Sequence, residues 1–203
     1  MTEFDEKYDE LKAYISELEK KFIDRFLSSG LETNPEEYEL DIRAYCILSH
    51  AAFEDYFEQI AEGVMIKGLE KWYSPSREIT PPLLALAAYS EKRIGYNEKK
   101  TEIPFDQLRE IFDETKTKLS TRIRKENHGI SVEHLANMLL PVGLYIKQDV
   151  NLRNSLDKLV KQRGLYAHQG RLKKHPGSRN CKKLRRRLSP VVRGFAIQSQ
   201  RFV

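Results

Sequence analysis

Apolar residues fall three or four positions apart along most of this chain, and that spacing leaves few folds open other than packed helices. Phe4, Tyr8, Leu11, Ile15, Leu18, Phe22 and Phe26 form a first stripe, which the helical period gathers on one face. Gly30 is expected to stop that helix. Asn34-Pro35-Glu36-Glu37 reads as the start of the next, with a capping Asn, Pro at the first helical position and Glu at the third. This second helix runs toward Trp72 with Cys46, His50, Phe53, Phe57, Ile60 and Val64 as its stripe, and the Ser74-Pro75 stretch breaks it.

Thr80-Pro81-Pro82 opens a shorter helix from Leu83 to about Arg93, closed near Gly95. A further helix from about Phe105 to Arg124 carries Leu108, Ile111, Phe112, Thr115 and Leu119 on one side, and Asn127-His128-Gly129 ends it. Ser131 caps a short helix through Leu140, with Pro141-Val142-Gly143 as its turn. Asp149 caps a last one holding Leu152, Leu156, Leu159 and Val160. No stretch alternates like a strand, and Gly-rich turn dipeptides are absent. The expectation is an all-α bundle of about five or six helices.

At 203 residues one core and one domain suffice. Charge divides the chain more sharply than hydropathy does. From residue 161 to 203 there are 13 Lys and Arg and no Asp or Glu, so the first 160 residues hold 22 basic against 30 acidic side chains. The net charge of +5 thus hides an acidic body with a strongly basic end, an asymmetry that points to a polyanionic partner, nucleic acid first. The reading places a helical domain at 1–175, with an N-terminal helix at 1–30 and a core at 35–170. A basic tail follows at 176–203, either part-helical or unstructured, punctuated by Pro176, Gly177 and Pro190. Lys182, Lys183, Arg185, Arg186 and Arg187 form its densest run, and their expected partner is nucleic-acid phosphate.

No apolar run approaches the roughly 18 residues that cross a bilayer, so no membrane partner is expected. The acidic start Met1-Thr2-Glu3-Phe4-Asp5-Glu6 reads against a signal peptide and for a cytoplasmic protein. Cys46 and Cys181 are too few and too distant for a disulfide framework. His128, His134 and His175 show no metal-ligand spacing, and no cofactor is expected. Phosphate loops, dinucleotide fingerprints and the Gly-x-Ser-x-Gly elbow are missing, which disfavours an ATPase, a nicotinamide enzyme and a serine hydrolase.

What remains is Lys161-Gln162-Arg163-Gly164-Leu165-Tyr166-Ala167-His168, at the end of the last apolar-periodic helix. Arg holds phosphate through a fixed fork of donors, and His exchanges a proton near neutrality. Helical steps from Leu156, Leu159 and Val160 put Arg163 on the buried face, where it needs a carboxylate, and Glu54 is the candidate. Residues five apart on a regular helix lie about 140° apart. Either the helix ends near Gly164, or a second copy completes the site; the second arrangement is favoured. His50 and Glu54, at i and i+4, share one helix surface and read first as a core His satisfied by its neighbour.

These residues together resemble the HEPN (higher eukaryotes and prokaryotes nucleotide-binding) superfamily, in its RiboL-PSP-HEPN-like branch. The resemblance rests on Leu48-Ser49-His50-Ala51-Ala52-Phe53-Glu54-Asp55-Tyr56 in a central helix and on the Arg163…His168 segment, and it covers roughly residues 35–170. It implies a homodimeric, metal-independent endoribonuclease of prokaryotic defence or toxin–antitoxin systems, with RNA as substrate and an antitoxin or defence-system protein as a further partner. His168 would be general acid and base, and Arg163 would hold the scissile phosphate. Glu54 would orient Arg163, with His50 and Tyr166 in support. Products would carry 2′,3′-cyclic phosphate and 5′-hydroxyl ends. Gly164 stands where many active members have a polar residue, often Asn, so the alternative is a weak or inactive HEPN module that binds RNA or a partner protein.

Overall fold

A computed structural model describes residues 2–24, 35–92, 105–126, 128–146 and 150–168; the side chains of 35–38, 151–152 and 166–168 are not among those described. Its elements are α1 (Glu3–Glu19), α2 (Pro35–Tyr73), α3 (Pro81–Tyr89), α4 (Phe105–Thr121), α5 (Val132–Leu139) and α6 (Val150–His168). There is no strand among the described residues, so the all-α expectation holds. None of these helices is long and apolar enough to cross a membrane.

The caps form where the sequence offers them. Thr2 Oγ1 accepts from Asp5 N while Thr2 N donates to Asp5 Oδ2, a capping box that opens α1. Thr80 Oγ1 accepts from Leu83 N and starts α3 at Pro81. Ser131 does the same for α5 through His134 N. The turn after α5 is a 3₁₀ segment, Leu140–Val142, closed by Gly143 at φ 79°, where a side chain would be strained. The stops and caps read at Gly30, Asn34, Gly95, Asn127 and Asp149 lie outside the described residues, as does the whole tail from residue 176.

α2 is the axis of the bundle. Its 39 residues span about 58 Å, and α1, α3, α4, α5 and α6 all pack on it. Cys46, His50, Phe53, Phe57, Ile60 and Val64 are buried as their spacing requires, and Tyr56, Ala61, Met65 and Leu69 are buried on a further face. A helix covered on several sides loses its amphipathic contrast, which suits a central element.

α1 and α4 each run into a π-helical turn, Lys20–Asp24 and Arg122–Glu126. The wider turn shifts the register by about one residue. Ile23 is therefore fully buried while Phe22, the residue on the regular stripe, is only half-buried.

Candidate functional site

The last helix is unbroken from Val150 to His168, so it does not end at Gly164. Arg163 and His168 thus sit on one continuous helix, separated by about 140° around its axis. Leu156 and Leu159 are buried against the core, and one turn on, Gln162 Oε1 lies 3.8 Å from Cys46 Sγ of α2.

Arg163 departs from its expected burial. The helical register is the expected one, but the side chain is exposed, and among the described residues no carboxylate stands within ion-pair distance of it. The expected pairing with Glu54 is absent. The physical reason is the cost of burying an unpaired guanidinium, which a long side chain avoids by carrying its charge out to water. The side chains of Tyr166 and His168 lie outside those described.

On α2, His50 is buried and Glu54 partly so, with His50 Nδ1 3.6 Å from Glu54 Oε2. Burial first, then the positive charges of Arg163 and His134, lower the His50 imidazole from 6.5 to about 4. His50 is therefore neutral at pH 7, and its contact with Glu54 is not an ion pair there. Glu54 Oε1 is enclosed and has no hydrogen-bond partner among the described residues. The expected core His satisfied by its glutamate is thus incomplete.

The titration of His50 has a consequence for stability. Its folded pKa lies below the unfolded one, so the unfolded chain takes up the proton first as pH falls. This stability is present in full above about pH 6.5 and is lost as pH falls toward about 4, by up to about 3 kcal/mol. In chelated buffer, His50→Gln should flatten the denaturant-derived stability curve between pH 6.5 and 4. An unchanged slope would contradict the assignment.

Two histidines join this region that sequence spacing left apart. His134 is fixed at the start of α5, its Nδ1 2.6 Å from Ser131 Oγ, and its charge is felt at His50. His128 lies with Glu54 and Glu58, one ligand atom from each falling within 4.8 Å of the others. Glu54 and Glu58, at i and i+4, were legible as a pair on one helix face. Nothing in the sequence ties them to a histidine seventy residues later.

Lys182, Lys183, Arg185, Arg186 and Arg187 lie outside the described residues. A family model described as RiboL-PSP-HEPN matches residues 2–198, extending the likeness to both sides of the 35–170 span. No curated protein and no solved structure matches the chain.

Proposed function

The chain belongs to the RiboL-PSP-HEPN family, and from that premise we propose that it is a metal-independent endoribonuclease built on Arg163 and His168. The family match suggests a nucleotide-binding, RNase-type module. In the proposed reaction the 2′-hydroxyl of RNA attacks the adjacent phosphorus as a histidine takes its proton. A second histidine protonates the departing 5′-oxygen, leaving a 2′,3′-cyclic phosphate and a 5′-hydroxyl. Two copies of His168, one from each chain of a homodimer, would supply both transfers, and Arg163 would neutralise the charge developing on the phosphoryl oxygens.

The observation that carries this reading is the state of Arg163: exposed, unclaimed by a described carboxylate, and on a helix continuous through His168. A guanidinium held only for structure would be expected to have a partner. The angular offset between the two residues supports a site shared by two copies. Further support comes from apolar side chains left in solvent, Leu40 and Ile47 on α2 and Leu165 on α6, the helices that meet at Cys46 and Gln162. Residues 176–203 would act as a basic arm on RNA, with Lys182, Lys183 and Arg185 to Arg187 as its phosphate contacts. A cytoplasmic role in defence, or as a toxin restrained by an antitoxin, belongs to the same proposal. The test is incubation with mixed RNA in EDTA beside the His168→Ala protein, with the product ends identified.

Gly164 favours the second reading, a module that binds RNA or a partner without turnover, because it offers no hydrogen-bonding side chain beside Arg163. A Cβ built there meets nothing within 4 Å. Gly164→Asn should therefore fold normally, and Gly164→Ala should raise stability by about 0.5–1 kcal/mol, as in an open helix interior. Cleavage by Gly164→Asn that exceeds the wild type favours the enzyme with a weakened site. Absence of product from both proteins favours the binding module.

A further inference from the structure

We propose that Glu54, Glu58 and His128 form a binding site for a borderline divalent metal ion, Zn²⁺ before others. The three come from two separate elements, α2 and the turn that leads into α5, and their ligand atoms fall within 4.8 Å of one another. Two carboxylate oxygens and one imidazole nitrogen are a donor set that suits zinc and, less tightly, manganese, rather than magnesium or calcium. Bond lengths near 2.0–2.2 Å require the ligands to draw in by roughly an ångström. Rotation of the exposed His128 and the partly exposed Glu58 supplies that movement.

Independent observations give this cluster a demand for a cation. Among the described residues, Glu54 Oε1 is enclosed and receives no hydrogen bond, so its desolvation is uncompensated. The nearby Arg124 guanidinium is bound in a fork by Glu62 and not by either glutamate of the cluster. Three protein ligands leave the remaining positions to water.

The site does not depend on the nuclease reading, which is tested in EDTA with RNA, whereas this one is tested with metal and no RNA. Isothermal titration of the full chain with Zn²⁺ should show one equivalent bound, with affinity reduced at least tenfold in both Glu58→Gln and His128→Ala. Thermal melts should show a Zn²⁺-dependent rise in Tm that both variants lose. His128 is exposed, so its replacement should leave the metal-free Tm unchanged. Mn²⁺ should bind at the same residues more weakly, and Mg²⁺ should give no heat. Absence of binding in the wild type, or Zn²⁺ affinity equal in all three proteins, overturns the proposal.

Discussion

Replacing Arg163 with Ala is expected to reduce RNA cleavage about 10²–10⁴-fold while moving Tm by no more than about 2 °C. Both halves follow from where the side chain stands. The guanidinium is exposed and has no carboxylate partner among the described residues, so the folded chain gains little from it. During attack by the 2′-hydroxyl, however, charge accumulates on the phosphoryl oxygens, and a fork of fixed donors stabilises that state more than the starting diester. His168→Ala should fall as far, because proton transfer alone contributes about 10²–10⁴-fold. The two losses should not add, since residues acting on one step fail as a unit. Wild-type activity should persist in EDTA, and the ends should be cyclic phosphate and 5′-hydroxyl. Undiminished cleavage by His168→Ala would sink the assignment. A purely structural Arg163 predicts the opposite pattern: a lower Tm in both Arg163→Ala and Glu54→Ala, and no change with RNA. RNA binding that survives in both variants, with no product from wild type, identifies the binding module.

The helices were legible because burial and the helical period act on each of them locally. Cys46 through Val64 are buried in the order their spacing gives, and Thr80, Ser131 and the Ser74-Pro75 break mark boundaries with local chemistry. Where the sequence misled, the cause was not local. Phe22 sits on the regular stripe, but the π-helical turn from Lys20 brings Ile23 into the core. Arg163 shares the register of Leu156, yet register fixes only the direction of Cα–Cβ, and a long side chain can still reach water. The approach of His128 to Glu54 and Glu58 depends on how the turn before α5 lies across α2, which is set by tertiary packing and leaves no trace in spacing. A continuous last helix was one of two readings open at Gly164. The structure adopts it because one glycine costs a helix only about 1 kcal/mol.

The seat of α1 on α2 yields a prediction whose sign reverses with background. Phe4 is fully buried, and a Cβ built on Gly63 would come within 3.0 Å of its Cε1 and 3.5 Å of its Cζ. Lys67 lies over the same ring, 4.4 Å from its centroid, with its ammonium 3.1 Å from Glu3. The ring thus fills a slot that exists because residue 63 has no side chain. Phe4→Ala should empty that slot at a cost of about 3–5 kcal/mol, lowering Tm by roughly 10 °C for a chain of this size. Gly63→Ala should destabilise the wild type. The gain of about 1 kcal/mol in helix propensity is outweighed by displacement of a fully buried ring, a cost of about 1–3 kcal/mol. In the Phe4→Ala protein the same Gly63→Ala change should be stabilising, because its methyl enters vacated space and the propensity gain is unopposed. Urea denaturation of the two single variants and the double variant closes the cycle, and the coupling should exceed 1 kcal/mol in magnitude, as for residues in direct contact. If Gly63→Ala stabilises both backgrounds equally, the ring does not occupy the slot, and α1 is held to α2 by other contacts.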